Sequence, residues 1–222
     1  MTASALLLDF DGLIIDTETS VYESWRRTFV DLGAEPIDRA TWATGLGRPA
    51  DDPLDIDPVE VLAERLDGLA DLDVVQARRR TLRDELLAGE PVRPGVEVWI
   101  DTARSMGLPV AVCSSSPTSW VEPLLADHGL RDRIDHVSCA GDGVPGKPDP
   151  AVYLNACAVF GVDPARAVAV DDTPVGIRAA KGAGARAIAV SANMTAGLAY
   201  PDADLVVGSL ADLEPVDVLG SR

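Results

Sequence analysis

The sequence predicts an α/β fold: a mostly parallel sheet with helices on both faces, interrupted after its first strand by an all-helical block. Three observations carry this. An apolar run, Ala5 to Leu8, ends in Asp9, Phe10, Asp11 and Gly12, and a short apolar run closed by a turn residue reads as a buried parallel strand. Residues 17–91 show helical spacing and dense charge without a convincing strand. From Val96 onward strands and helices alternate, the pattern of βα units.

Taken in order, the first strand leads through Gly12, whose backbone can turn sharply and approach a ligand closely, into a second apolar patch, Leu13 to Ile15. Val21, Trp25, Thr28, Phe29 and Leu32 then recur at helical steps, and Gly33 supplies a stop. Trp42 to Pro58 is broken by Gly45, Gly47, Pro49, Pro53 and Pro58 and reads as turns. Helices are expected over Val59–Leu66 and Leu72–Leu87, with Trp25 and Trp42 as packing residues of the block. Glu90-Pro91-Val92-Arg93-Pro94-Gly95 reads as a hinge or linker. Beyond it the expected order is a helix over Val96–Met106, a strand over Pro109–Cys113 running into Ser114-Ser115-Ser116, and a helix over Thr118–His128. An apolar turn at Ile134–Ala140, a loop over Gly141–Pro150 and a helix over Ala151–Phe160 follow. The strand Ala167–Val170 then runs into Asp171-Asp172. A helix over Val175–Ala183 and strands over Ala185–Val190 and Leu205–Val207 complete the chain.

Composition narrows the function classes. A length of 222 residues suits one large domain or a core with a smaller insertion, and a hydrophobic fraction of 47% is ample for a packed interior. The formal charge of −17, from 19 basic against 36 acidic side chains, repels phosphate backbones and anionic lipid, which argues against nucleic-acid or membrane partners. Cys113, Cys139 and Cys157 are odd in number, widely spaced and without CxxC, which argues against a disulfide framework or a structural zinc site and fits a reducing cytoplasm. The amino terminus lacks a basic region, and no apolar run reaches the length of a membrane span. GxSxG, P-loop and GxGxxG signatures are absent.

Asp-x-Asp occurs four times in this Asp-rich chain, but only Asp9/Asp11 follows a continuous apolar strand and precedes a glycine. In a parallel sheet the carboxyl ends of all strands face one way, so Asp9, Asp11, Ser114, Lys147, Asp171 and Asp172 can converge. Such carboxylates form a hard oxygen site suited to magnesium, and a hydroxyl and an ammonium beside them would cradle a phosphoryl group. Lys147 gains weight from scarcity, because Lys181 is the only other lysine.

Four segments in this order, DFDGLIIDTE, VAVCSSS, GKPDP and VAVDDTPVGIRAAKGAGA, resemble the motifs of the haloacid dehalogenase superfamily, in the branch with a small helical cap after the first motif. The resemblance spans essentially the whole chain. It implies a Rossmann-like core over residues 1–16 and 92–222 and an inserted helical cap over 17–91. It also implies a magnesium-dependent phosphatase that hydrolyses a small phosphate monoester, phosphoglycolate or sugar phosphate, through an aspartyl phosphate. By position, Asp9 matches the nucleophile and Asp11 the general acid and base. Ser114 would hold phosphoryl oxygens with backbone amides near Ser115, beside the Gly12 turn, and Lys147 would neutralise developing charge. Asp171 and Asp172 would bind magnesium with Asp9 and the backbone carbonyl of Asp11. Many relatives carry Glu-Asp where this chain has Asp171-Asp172. The expected partner is a small phosphorylated metabolite, and the expected state is a monomer or weak homodimer.

Other features read more plainly. His128 and His136 are expected to be structural, Lys181 and Arg78-Arg79-Arg80 to lie on solvated helix faces, and Arg48, in the turn GLGRP, to be the best candidate for substrate contact from the cap. The second motif-one aspartate argues against a dehalogenase, and residues 17–91 hold no lysine for a Schiff base. β-Phosphoglucomutases carry a histidine where this chain has Val21, so a mutase is the alternative rather than the first reading. A non-catalytic protein of the same fold is a further alternative, although it would be expected to have lost one of Asp9, Asp11, Lys147 or Asp172. A receiver domain is set aside because no helical insert of this size follows its first strand.

Overall fold

In a computed structural model, residues 2–46, 56–66, 71–141, 143–191 and 193–220 of the chain are described. Six parallel strands form one sheet: β1 (Ala5–Leu8), β2 (Val110–Ser114), β3 (His136–Cys139), β4 (Ala167–Asp171), β5 (Arg186–Val190) and β6 (Leu205–Val207). Their order is β3-β2-β1-β4-β5-β6, the doubly wound arrangement in which the winding reverses beside β1 and opens a crevice at the carboxyl ends.

Alternation of valine or isoleucine with small residues in β2, β4 and β5 gives the sheet two unlike faces. One carries Leu6, Leu8, Val112, Val170, Ile188 and Val190, against α5 (Val96–Ser105), α6 (Thr118–Asp127) and the short α9 (Pro215–Leu219). The other carries Ala5, Leu7, Ala111, Ala169, Ala187 and Ala189, against α7 (Ala151–Phe160) and α8 (Pro174–Ala183). Small side chains on both partners let α8 approach the sheet closely.

Between β1 and β2 the chain forms α1 (Thr17–Asp31), α2 (Arg39–Gly45), α3 (Pro58–Arg65) and α4 (Leu72–Leu87), with a separate apolar cluster around Trp25, Phe29, Trp42 and Leu62. The block leaves and rejoins the core at one place. Ile15 pairs antiparallel with Val92, the Arg93 amide donates to the Ile14 carbonyl at 2.9 Å, and Arg93 lies 3.7 Å from Asp16.

Two expectations need correction. The segment Ile134–Ala140 is not a turn, because His136–Cys139 pairs in register with β2 as an edge strand; the polar His136 and Ser138 hide it in the sequence. The start of the expected turn region is helical, because Asp38 caps α2 by accepting from the Thr41 amide at 2.9 Å and Trp42 and Ala43 are buried beneath it. Residues 47–55, with Arg48, lie outside the described residues. The helix α9 was not expected. Cys113, Cys139 and Cys157 are free thiols, and none of the described helices is long and apolar enough to cross a membrane.

Candidate active site

β1, β2 and β4 lie side by side and release the chemistry-bearing residues at one edge. The Asp9 amide still donates to the Val170 carbonyl at 2.9 Å, which holds the first residue beyond β1 in register with β4. Asp171 is the last residue of β4, and Asp172 follows it. Lys147 arrives on the loop after β3, with Ser115 Oγ accepting its backbone N–H at 3.1 Å.

The Lys147 ammonium is buried and bridges two carboxylates, donating to Asp9 Oδ1 and, at 2.7 Å, to Asp171 Oδ2. Asp171 is fully engaged. Its Oδ2 also accepts from the Tyr153 hydroxyl at 2.6 Å, and its Oδ1 accepts the Thr173 amide and hydroxyl, both at 2.8 Å. Asp172 is the opposite case: it is buried, and its Oδ1 has no hydrogen-bond partner among the described residues. Gly12, at φ +79°, makes room for it, since a Cβ there would stand 2.3 Å from Asp172 Oδ2. Asp9, Asp171 and Asp172 bring carboxylate oxygens within 4.8 Å of one another. Three buried carboxylates against one ammonium, with an orphaned oxygen, fit a hard divalent cation such as magnesium.

The electrostatics agree. Burial, reinforced by Asp171 and opposed by Lys147, pushes the Asp9 carboxyl up to about 8. Burial and then Asp9 and Asp171 push Asp172 well above the usual carboxylate range. Burial works against the Lys147 ammonium, but Asp171 and Asp9 outweigh it and hold the lysine above its ordinary value.

The Asp11 side chain lies outside the carboxylate cluster. It accepts from Thr17 Oγ1 at 2.7 Å and Trp120 Nε1 at 2.8 Å on Oδ1, and from Ser116 Oγ at 2.6 Å and Ser114 Oγ at 3.4 Å on Oδ2. A cavity of about 130 Å³ joins Asp9, Asp11, Lys147 and the three serines. Glu18, in the first turn of α1, lines it too; burial and then the charges of Asp11, Asp9 and Asp16 push its carboxyl up to about 8.

The structure thus brings together Asp9, Asp11, Ser114, Ser115, Lys147, Asp171 and Asp172, with Gly12 packed on Asp172. Sequence reasoning missed Thr17, Glu18, Ser116, Trp120, Tyr153 and Thr173. Thr17 and Glu18 close the first motif and Ser116 the second, so proximity was an available signal; Trp120 and Tyr153 carried none. The residues read as structural behave so: His128 bonds the Leu124 and Glu90 carbonyls, His136 bonds Asn155, and Lys181 pairs with Asp204 on the surface. Arg79 departs from the expected solvated face, because it is buried with its guanidinium 5.1 Å from the Trp25 ring centroid.

Residues 3–184 match the haloacid dehalogenase-like hydrolase family. The chain belongs to this family. As such a hydrolase it is 32% identical over 224 residues to hexitol phosphatase B of Escherichia coli, covering 97% of this chain and 96% of that protein. It is 32% identical over 186 residues to the plasmid phosphoglycolate phosphatase of Cupriavidus necator, covering 83% and 79%. Among solved structures, CbbY from Rhodobacter sphaeroides in complex with phosphate superposes with a TM-score of 0.74 at 27% identity, covering 95% of this hydrolase and 96% of CbbY.

Proposed function

We propose that this haloacid dehalogenase-like hydrolase is a magnesium-dependent phosphatase, acting on a small phosphate monoester of sugar phosphate or phosphoglycolate type through an aspartyl phosphate on Asp9. The observation that carries the reading is the Lys147 bridge between Asp9 and Asp171, beside an orphaned Asp172 oxygen, at the floor of a small polar cavity. The enzyme is a phosphoric monoester hydrolase, as its named relatives are.

In this mechanism an Asp9 oxygen attacks phosphorus, and the leaving oxygen takes a proton from Asp11. Asp11 then accepts a proton from the water that cleaves the aspartyl phosphate. Ser114 and the amides near Ser115 hold the phosphoryl oxygens, and Lys147 offsets charge that builds up between Asp9 and the phosphate. Asp9, Asp172 and the Asp11 carbonyl would hold magnesium, with Asp171 contributing its charge while it anchors Lys147. The bound ion would supply electrostatic stabilisation of the transferring phosphoryl group.

Residues 17–91 act as a cap over a core of residues 1–16 and 92–222. Among the described residues Glu18 is their contribution to the cavity wall, and its carboxyl suits the hydroxyls of a polyol or sugar. Val21 packs in the apolar cluster of the cap, where it offers no proton-transfer group, so the mutase alternative gains no support.

The test is phosphate release from a panel of hexitol and hexose phosphates, phosphoglycolate and β-glucose 1-phosphate, with magnesium or with EDTA. Magnesium-dependent release from one or two compounds is expected. Conversion of β-glucose 1-phosphate to the 6-phosphate without release would sink the phosphatase reading in favour of the mutase.

A further inference from the structure

Asp11 is gripped by four donors, and they are not equivalent. Thr17, Ser114 and Ser116 hold it with hydroxyls, which can rotate and accept as well as donate. Trp120 reaches Oδ1 with an indole N–H at 2.8 Å, and an indole can only donate. A carboxylic acid carries its proton on one oxygen and accepts on the other. With a donor-only group fixed at Oδ1, the proton of Asp11 belongs on Oδ2, beside the hydroxyls of Ser114 and Ser116, which can accept it and which line the cavity.

The indole is itself held from two sides. Its ring packs against the core cluster on the bulky face of the sheet. The guanidinium of Arg83, from α4, lies 4.7 Å from its centroid, a cation–π contact. Arg83 is mostly buried and is tethered to Asp84 at 2.6 Å. One aromatic ring therefore links the block proposed as the cap to the carboxyl proposed as the acid.

We propose that Trp120 is a positioning residue: its N–H fixes Asp11 with the proton on Oδ2, aimed at the leaving oxygen, and Arg83 makes this alignment depend on the seating of α4. The step it serves is balanced. The bond from phosphorus to the leaving oxygen breaks as the bond to Asp9 forms, and the Asp11 Oδ2 proton passes to the departing alkoxide. This inference rests on the phosphatase reading above.

The experiment compares kcat/KM for sorbitol 6-phosphate, an alkyl ester whose leaving group needs a proton, with that for p-nitrophenyl phosphate, whose leaving group needs none. Trp120→Phe should lower kcat/KM for sorbitol 6-phosphate by roughly a hundredfold, at the low end of what general acid catalysis supplies. The same variant should change the value for p-nitrophenyl phosphate less than about threefold. Arg83→Met, which keeps the indole in place, should show the same selectivity at roughly three- to tenfold, and it decides the matter if Trp120→Phe does not fold. Equal losses on both esters in these variants, or no loss on either, would overturn the positioning role while leaving the phosphatase reading intact. If another alkyl ester of the phosphatase panel is the one turned over, the comparison is made with that ester; failure of the wild type on the whole panel with magnesium would overturn both.

Discussion

Gly176 lies so close to Asp171 that a Cβ at position 176 would stand 1.9 Å from the Asp171 Oδ2 atom. That same oxygen holds Lys147 and Tyr153. The first helical turn of α8 is thus part of the support that fixes the ammonium, and a single methyl group would displace it. Gly176→Ala should lower stability by about 1–3 kcal/mol through overpacking and reduce turnover at least tenfold. Thermal denaturation paired with a phosphate-release assay checks both, and wild-type values for the two would refute the claim.

Asp9→Asn removes the proposed nucleophile but keeps the side-chain shape. Turnover should fall by about a thousandfold or more with the circular dichroism spectrum unchanged, because steps lost with a nucleophile are seldom recovered by neighbours. A variant that kept most of its magnesium-dependent activity would place the nucleophile elsewhere.

Lys147 neutralises two buried carboxylates. Lys147→Met leaves them facing each other without a cation, and breaking a buried pair on one side costs about 3–5 kcal/mol. Urea denaturation at neutral pH with EDTA present should report a loss of this size. Magnesium should restore part of it, since a cation returns to the same cluster.

The pH dependence of the metal-free protein follows from Glu18. Its carboxyl is held at about 8 in the fold against an ordinary value of 4.5. Between those values the native state binds a proton that the unfolded chain has released. The stabilisation is therefore complete below about pH 4.5 and is lost as pH rises through 8. Glu18→Gln should narrow the difference in Tm between pH 5 and pH 8, raising the pH 8 value by roughly 2–4 °C for about 1 kcal/mol. Parallel pH–Tm curves for variant and wild type would contradict the assignment.

The proposed magnesium site has its own readout. Millimolar magnesium should raise the Tm of the wild type, by mass action on the native state. Asp172→Asn should abolish that rise, whereas Asp202→Asn, whose residue lies outside the carboxylate cluster, should keep it. Calorimetric titration provides the same comparison directly.

Much of this arrangement was legible in the sequence, for identifiable reasons. β1, β2 and β4 are continuous apolar runs because both faces are buried, and their polar endings, Asp9, Ser114 and Asp171, announced a shared edge. β3 escaped notice because its polar His136 and Ser138 break the apolar run, and the partner that accommodates both, Asn155 on α7, is remote in sequence. Lys147 stood out through rarity. What could not be read was which side chain would saturate which carboxylate. Asp171 and Asp172 are neighbours of identical chemistry, yet one accepts four hydrogen bonds and the other keeps an orphaned oxygen. Successive residues along an extended backbone point opposite ways, and what each then meets comes from remote parts of the chain. Trp120 is the same case, since its contact with Asp11 spans 109 residues.

The joint at which residues 17–91 meet the rest of the molecule has a mechanical consequence. Exit and return run side by side, tied by the Ile15–Val92 pairing, the Arg93–Ile14 hydrogen bond and the proximity of Arg93 to Asp16. Two such adjacent, mutually fastened connections should resist sliding, so a swing about the line through them is the motion expected once the hydrogen bond of Arg39 to the Asn193 carbonyl and the packing of Met194 in the apolar cluster of the block give way. In a swing, travel grows with distance from the axis. Glu18, in the first turn of α1 just beyond Ile15, would move least in such a swing, so its place at the cavity wall would persist throughout it. The amino-terminal end of α4, far along that helix from Val92, would sweep a long arc. Any discrimination exercised there would operate only on molecules already inside when such an arc closes.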